Sequence, residues 1–117
     1  MAVLGKTGIH VSPLCYGSLT FSRFQANLPL NKGTELLVYA HEKGINFIDT
    51  AEIYDNYAFI KGAIKEVGRS EWVITSKAYC YDEKTADASV KKALEELDTD
   101  YIDIFMLHEQ ESLLTLK

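Results

Sequence analysis

Polar residues stand at or just beyond the ends of three short apolar segments of this sequence. Asp49 ends the segment INFID, and Lys77 ends WVITSK. His108 follows YIDIFML directly, and Tyr54 lies in the loop after Asp49. Taken singly, each has an ordinary structural explanation, since a carboxylate commonly caps a helix and a lysine commonly reaches solvent. Their coincidence at strand ends favours a functional site instead.

An acid, an ammonium, an imidazole and a phenol in one place suit proton transfer to a carbonyl oxygen. A tyrosine is a poor acid at neutral pH because its phenol has a pKa of about 10. A nearby ammonium favours the phenolate and lowers that pKa, and a carboxylate paired with the lysine holds the positive charge in place. A neutral histidine opposite the phenol supplies a second hydrogen bond. The set predicts general-acid assistance to carbonyl reduction, with the hydride supplied by a bound cofactor.

An alternation of strand and helix patterns would bring these residues to one edge of a sheet. Residues 1–13 predict a hairpin, and a short strand begins at Leu14. Three amphipathic helices then alternate with the strands INFID, WVITSK and YIDIFML. That order predicts an α/β fold of parallel strands joined by right-handed crossovers. In such folds, ligand chemistry collects beyond the carboxyl ends of the strands.

Local signals indicate where the helices begin and end. Gly44 and Gly68 are expected to stop the first two helices, and Thr85 is expected to cap the third. The helices are predicted around residues 33–44, 57–68 and 84–98.

Two further segments have weaker patterns. The acidic residues Asp98, Asp100 and Asp103 lack calcium-loop spacing and indicate a solvated turn before the fourth strand. Residues 111–117, ESLLTLK, could begin another helix.

Composition excludes several classes of function. The chain has 117 residues, 47% of them hydrophobic, and a formal net charge of −5, which gives no basic surface for nucleic acid or an anionic membrane. No apolar run approaches the ~20 residues that span a bilayer. The first ten residues, MAVLGKTGIH, lack the apolar core of a secretory signal. We therefore expect a cytoplasmic protein with one domain.

Three short motifs carry no function of their own. Gly5-Lys6-Thr7 lacks the preceding glycine and spacer of a phosphate-binding loop, and His108-Glu109 lacks the second histidine of a zinc protease. Cys15 and Cys80 lie far apart without metal-ligand spacing, as in a reduced cytosolic protein. No metal site is predicted.

At the same residues the sequence resembles the aldo-keto reductases, which are NADPH-dependent oxidoreductases built as (β/α)₈ TIM barrels. The resemblance rests on four segments in order: GKTGIHVSPLCYGSLTF, GINFIDTAEIY, ITSK and DTDYIDIFMLHE. It implies a fold of parallel TIM-barrel type, with a leading β-hairpin and about four βα units. Residues 1–117 would form the N-terminal part of such a barrel.

The resemblance also assigns roles within the candidate tetrad Asp49, Tyr54, Lys77 and His108. Tyr54 would be the proton donor to a small carbonyl substrate. Lys77 and Asp49 would tune that donor, and His108 would orient the substrate. Glu52 would be an accessory residue of the loop.

The expected cofactor is NADPH (NADP). By the same resemblance, its nicotinamide side would lie against Gly17, Ser18 and Leu19, with Asp49 near its ribose. The family holds the phosphates of the cofactor with loops that follow the last strands of the barrel.

The sequence departs from the family in two places. Glu109 stands where many members carry an aromatic residue that lines the substrate pocket, and the loop after Tyr54 reads DNYAF instead of the commoner Gly-x-Ser-Glu. LHEQES looks more like a branch found in bacterial proteins with an added iron–sulfur segment. This sequence has no cysteine cluster, so it does not support an iron–sulfur cluster.

Length leaves two functions open. A closed barrel takes ~250 residues, so we expect a truncated N-terminal half-barrel that is weak or inactive alone. Two unpaired strand edges and an open core face would favour self-association. The first function is an NADPH-dependent carbonyl reductase, and the alternative is a non-catalytic half-barrel that binds itself or a partner. A flavodoxin-like sheet would not account for the four tetrad residues together.

Overall fold

A small antiparallel hairpin opens the chain. It is seen in a computed structural model that describes residues 1–110. Strand β1 (Ala2–Val3) pairs with β2 (His10–Val11). The connecting turn is closed by the Leu4 N–H, which donates to the Ile9 carbonyl at 2.8 Å. The hairpin expected over residues 1–13 is confirmed.

The body of the fold is a four-stranded parallel sheet in the order β3-β4-β5-β6. Each strand pairs in parallel with the next one along the chain, so every connection crosses over through a helix. This confirms the predicted parallel α/β architecture. The strands are β3 (Cys15–Gly17), β4 (Phe47–Asp49), β5 (Val73–Ala78) and β6 (Ile104–Leu107).

Three helices cover one face of this sheet. Ile48 of β4 and Ile74 of β5 are fully buried against them and anchor the hydrophobic core. The indole N–H of the buried Trp72 donates to the Ala63 carbonyl, which fixes the second helix against the sheet. The helices are α1 (Leu30–Glu42), α2 (Tyr57–Val67) and α3 (Glu83–Leu97).

Two of the predicted helix stops are confirmed. Gly44, just beyond α1, has φ +91°, and Gly68, just beyond α2, has φ +112°. Both values lie in the region that glycine occupies without a steric penalty. Helix α1 begins at Leu30, earlier than predicted, because the Pro29 carbonyl accepts the Lys32 N–H at 3.0 Å.

The predicted cap of α3 is wrong. Asp82, not Thr85, is the N-cap residue, and its Oδ1 accepts the backbone N–H of Thr85 at 2.8 Å. That hydrogen bond lowers the pKa of the Asp82 carboxyl. Thr85 therefore serves as the donor in the cap. The possible helix over 111–117 lies outside the described residues.

The prediction of a solvated acidic turn before β6 is wrong for Asp103. Its side chain is only 16% exposed and lies 2.8 Å from Arg69 Nη2. The same carboxylate accepts the Ile74 N–H at 2.8 Å. Asp103 therefore ties β6 to β5 at the amino end of the sheet. Asp98, with φ +53°, follows α3 as its C-cap.

The face of the sheet opposite the helices is more open. Cys15, Phe47 and Asp49 follow one register on this face, and Met106 beside Lys77 is 43% exposed. Within residues 1–110, β3 and β6 each pair with a single neighbouring strand. None of the helices in that range is both long and apolar enough to span a lipid bilayer.

Candidate active site

An ion pair between neighbouring strands lies at the centre of the site. Lys77 Nζ is 2.7 Å from Asp49 Oδ1 and donates to the Thr50 carbonyl at 2.9 Å. The register pairs Asp49 with Thr75, two residues before Lys77, so both charged side chains project from the same face. The Lys77 side chain is 14% exposed and that of Asp49 is 34% exposed. The carboxylate therefore remains partly open to a ligand.

Tyr54 lies directly beside this ion pair. It ends a short 3₁₀ turn, Glu52–Tyr54, that follows β4. Lys77 Nζ is 5.1 Å from the centroid of the Tyr54 ring. Glu52 turns away toward α3, where its carboxylate is 3.5 Å from Lys92 Nζ. Glu52 thus holds the loop to a helix and does not join the ion pair.

His108 approaches Tyr54 from the next strand. Its backbone N–H donates to the Ala78 carbonyl at 2.9 Å, which places it just beyond β6. The imidazole meets the Tyr54 ring edge-on, with centroids 6.0 Å apart and an interplanar angle of 87°. Its Nδ1 is buried and has no hydrogen-bond partner within residues 1–110. One polar atom of the imidazole is therefore left without a partner in the described part of the chain.

The structure thus brings the four predicted side chains of the tetrad together at the carboxyl end of the sheet. They arrive from three successive strands because β4, β5 and β6 are parallel neighbours. The arrangement places a fixed positive charge next to a phenol, with an imidazole on the other side. Such a cluster can donate a proton to a carbonyl oxygen and stabilise the charge that develops there.

Besides Asp49, three residues are expected at the cofactor, on its nicotinamide side, and their surroundings differ. Gly17 ends β3 in register with Asp49, and a Cβ atom added to it would meet nothing within 4 Å. Leu19 lines a depression of about 290 Å³ beside the tetrad. Ser18 is fully buried, and its hydroxyl accepts a hydrogen bond from Asn56 at 3.1 Å. Only Gly17 and Leu19 therefore face open space.

Four residues outside the predicted site also line this depression: Phe24, Ile53, Tyr79 and Glu109. The Tyr79 ring stacks on the His108 imidazole at 4.4 Å with an interplanar angle of 11°. A hydrogen bond to Glu109 raises the pKa of the Tyr79 hydroxyl. Tyr79 follows Lys77 at strand spacing, which is a signal that could have found it. The lining residues are Leu19, Phe24, Ile53, Tyr54, Tyr79, His108 and Glu109.

The charges of the site also affect the thiol of Cys15. The pKa of its thiol is raised to about 11, chiefly by partial burial and also by the Asp49 carboxylate, while the Lys77 ammonium opposes both. The thiol lies on β3 on the same face as the ion pair. Cys15 and Cys80 are both free thiols. Among residues 1–110, no group of three or more His, Cys, Asp or Glu side chains is arranged to hold a metal ion.

Comparisons with known proteins agree with this architecture. The aldo/keto reductase family model matches residues 13–115. Glyoxal reductase of Bacillus subtilis is 40% identical over 82 residues, which cover 67% of this chain and 30% of that protein. A probable voltage-gated potassium channel subunit beta of Arabidopsis thaliana is 30% identical over 123 residues, covering 93% and 37%.

A solved structure extends the agreement to three dimensions. A Pseudomonas aeruginosa protein assigned to the aldo-keto reductases superposes with a TM-score of 0.85 at 30% identity, covering 97% of this chain and 48% of that one. The chain spans about a third of the length of the curated relatives named above. Its strands and helices correspond to part of a (β/α)₈ barrel. On the family model, the relatives and the shared fold together, the chain belongs to the aldo/keto reductase family.

Proposed function

We propose that this chain carries the proton-donating part of an NADPH-dependent carbonyl reductase, with Tyr54 as the general acid. The observation that carries the proposal is the position of Lys77. Its ammonium is 2.7 Å from the Asp49 carboxylate and 5.1 Å from the Tyr54 ring centroid. The name of one relative, glyoxal reductase, supports a small aldehyde as the substrate class.

Tyr54 would give its proton to the carbonyl oxygen as that oxygen gains negative charge. The ammonium of Lys77 stabilises the charge left on the phenol oxygen, because the two groups share a partly buried site. Asp49 keeps Lys77 in this position, and the Thr50 carbonyl takes a second hydrogen bond from the same ammonium. The lysine is therefore held by two acceptors before any substrate arrives.

His108 would supply the second hydrogen bond to the substrate carbonyl. Tyr79 stacks on one face of the imidazole, and the edge of Tyr54 lies against it. These two contacts fix the plane of the ring, so the carbonyl oxygen would be held between the phenol and the imidazole. Orientation of this kind contributes to catalysis because it removes the cost of aligning the reactants.

The residues beside the tetrad fit the nicotinamide side of a dinucleotide. Gly17 leaves open space where a side chain would stand, and Leu19 offers an apolar surface next to Tyr54. Asp49, in register with Gly17, would accept a hydrogen bond from a ribose hydroxyl. NADPH, when bound, would supply the hydride. The buried side chain of Ser18 is not assigned a cofactor contact.

We place residues 1–117 as one N-terminal unit of the barrel, in a reducing compartment such as the cytoplasm. The unit is supported by a single core shared by all three helices and the sheet. The reducing compartment is supported by the two free cysteines.

A titration with NADPH, followed by cofactor fluorescence, tests this function. We expect saturable binding by the wild-type chain and weaker binding by Lys77→Met. Lys91→Met is the matched control, because Lys91 is 72% exposed and its ion-pair partner among residues 1–110 is Asp87 on the same helix, α3. Tyr54→Phe should bind the cofactor but lose aldehyde reduction. Equal binding by Lys77→Met and the wild type would show that the ion pair does not hold Asp49 for the ribose. Equal aldehyde reduction by these two proteins would overturn the role given to the Lys77 ammonium, and no reduction by a cofactor-binding wild type would overturn the activity.

A second candidate is a half-barrel that associates with a second copy of itself. It is favoured by the open face that carries Cys15 and Met106, and by β3 and β6, which each pair with one neighbour in the described range. Sedimentation over a range of concentrations measures the assembly state. We expect an oligomer that Met106→Lys dissociates. A monomer at all concentrations would remove this candidate.

A further inference from the structure

A buried asparagine joins the loops on either side of the tetrad. Asn56 is 1% exposed, and its Oδ1 accepts the Thr50 hydroxyl at 2.8 Å. Its Nδ2 donates to the Ser18 carbonyl at 2.9 Å and to the Ser18 hydroxyl at 3.1 Å. Thr50 and Ser18 are themselves fully buried. The amide therefore bridges the segment after β3 and the segment after β4.

The position of Asn56 shows that its side chain is committed to this bridge. It stands at the N-cap of α2, where an asparagine ordinarily accepts a helix N–H, yet it makes no side-chain capping bond. Only an amide offers an acceptor and two donors in one plane, which is the pattern that Thr50 and Ser18 require. A buried polar group is costly unless it is bonded, so this arrangement holds one geometry.

The bridge continues into the ion pair. Lys77 Nζ donates to the carbonyl of Thr50, whose hydroxyl donates to Asn56. Asn56 also follows Tyr54 by two residues, so its anchoring limits where the phenol can lie. On the other side, Ser18 is the residue between Gly17 and Leu19. One side chain thus links the proton donor to the loop proposed for the nicotinamide.

We propose that Asn56 is a positioning residue that sets the distance between Tyr54 and the loop Gly17–Leu19. It would not touch the substrate or the cofactor. Its effect would be to keep the nicotinamide surface and the phenol in register, and the inference rests on the proposed function to that extent. The Thr50 hydroxyl takes part in the same linkage, whereas the Thr50 carbonyl serves Lys77.

Asn46 provides a matched control. It lies just before β4, at the opposite end of that strand, and its Oδ1 accepts the Ser12 N–H at 2.7 Å. Its Nδ2 donates to the His10 carbonyl at 3.0 Å. It is therefore another asparagine that links distant segments by both its donor and its acceptor, but it lies away from the tetrad. Substitution of either residue to Ala removes the same chemical group.

The first readout is the set of backbone amide resonances of Gly17, Leu19 and Tyr54. We expect Asn56→Ala to shift all three in a chain that remains folded, and Asn46→Ala to leave them in place. This measurement needs no cofactor, so it decides the structural part of the inference even if NADPH does not bind. Unchanged resonances in Asn56→Ala would overturn the inference.

The second readout is the affinity for NADPH. We expect Asn56→Ala to weaken binding by about 10-fold and Asn46→Ala to change it by less than about 2-fold. Thr50→Val, which keeps the shape and the carbonyl, should weaken binding by about 3-fold and serves if Asn56→Ala does not fold. Full affinity in both variants would overturn the inference. No binding by the wild type would instead overturn the proposed function.

A pH profile separates positioning from loss of packing. Asn56→Asp has a neutral side chain at low pH, with one O–H donor for Ser18, but an ionised side chain has none. The resonances of Gly17 and Leu19 in this variant should approach the wild-type positions as the pH falls and depart from them as it rises. A profile no different from that of the wild type would contradict the linkage through donated hydrogen bonds.

Discussion

The two ends of the parallel sheet carry the same kinds of polar group. They differ in how completely those groups are paired by hydrogen bonds and ion pairs. Each end has a partly buried ion pair between neighbouring segments, Arg69–Asp103 at the amino end and Lys77–Asp49 at the carboxyl end. Each end also has an asparagine that bridges distant segments, Asn46 and Asn56 respectively.

At the amino end, both members of the ion pair make further hydrogen bonds. The guanidinium of Arg69 donates to the Trp72 carbonyl at 2.8 Å and to the Tyr101 carbonyl at 3.0 Å, besides its contact with Asp103. It also lies 3.9 Å from the centroid of the Tyr101 ring. Arg69 and Asp103 are 13% and 16% exposed. Asp103 Oδ2 accepts from the Ile74 N–H as well, and within residues 1–110 no buried side-chain polar atom of this ion pair is without a partner.

At the carboxyl end, by contrast, a buried polar atom has no hydrogen-bond partner within residues 1–110. His108 Nδ1, just beyond β6, is buried without a hydrogen-bond partner in the described range. The other such atom in that range, Thr75 Oγ1, lies within β5, where Thr75 pairs with Asp49 on one side and with Ile104 on the other. Asp49 is a third exposed. Buried polar groups without partners are rare and call for an explanation, such as a ligand. The difference agrees with the proposal that one end stabilises the fold and the other is open to a ligand.

The largest expected difference between the two ends appears when one charge is removed from the ion pair at each end. Arg69→Met should lower the free energy of unfolding by about 3 kcal/mol, because it leaves the carboxylate of Asp103 buried and without its cation. Lys77→Met should cost about 1 kcal/mol, since Asp49 is exposed enough to be hydrated. Urea denaturation of the two variants and the wild type measures both values. Equal losses would mean that the two ends are not specialised.

A second test concerns the helix-facing side of the sheet near its carboxyl end. It asks whether the buried polar groups there are as well hydrogen-bonded as those at the amino end. The Tyr57 hydroxyl is 2.7 Å from Ser76 Oγ, and burial raises the pKa of that phenol to about 12. This folded-state pKa exceeds the unfolded value of about 10, so the protonated phenol of Tyr57 stabilises the folded chain. That contribution to stability is full below pH ~10 and is lost as the pH rises through about 12.

Unfolding measured at a series of alkaline pH values should therefore show a decline of about 2 kcal/mol attributable to Tyr57. Tyr57→Phe should have a smaller decline over the same interval, although its stability at neutral pH is lower because the hydrogen bond to Ser76 is gone. An identical slope in the variant would show that this phenol does not hold its proton more firmly in the folded chain.

Much of the fold could be predicted because its signals are local. The hairpin, the alternation of helices and strands, and the stops at Gly44 and Gly68 are each encoded within a few residues. The clustering of Asp49, Lys77 and His108 also followed from local patterns, because residues at the carboxyl ends of parallel strands share one edge.

What could not be predicted depends on burial and on partners far away in the sequence. The sequence alone predicts a solvated Asp103, since its partner Arg69 is 34 residues away and no local pattern links them. Asn56 resembles any other polar loop residue until its bridge to Ser18, 38 residues away, is seen. Thr85 and Asp82 are both good capping residues, and only the backbone geometry shows that Asp82 is the cap of α3.

The smallest expected effect is a change in the alkylation rate of Cys15, and it reports most directly on the charges at the carboxyl end. The pKa of the Cys15 thiol is raised chiefly by partial burial, is raised also by the Asp49 carboxylate, and is lowered by the Lys77 ammonium. Since alkylation requires the thiolate, Asp49→Asn should raise the rate of reaction with iodoacetamide by about 3-fold, and Lys77→Met should reduce it similarly. The rates are read by mass spectrometry below pH ~10, with the buried Cys80 of the same chain as the reference.

Opposite signs in the two variants are the decisive feature of this experiment. Cys15 is already exposed, so a general loosening of the sheet would only expose its thiol further and speed alkylation in both variants. An electrostatic effect instead speeds alkylation in one variant and slows it in the other. The variant Arg69→Met should leave the ratio of Cys15 to Cys80 labelling unchanged in the folded chain, because no effect of Arg69 on the thiol is found. If both substitutions at the ion pair accelerated labelling, that end would be held together by the pair, and the division between a stabilising end and a chemical end would be lost.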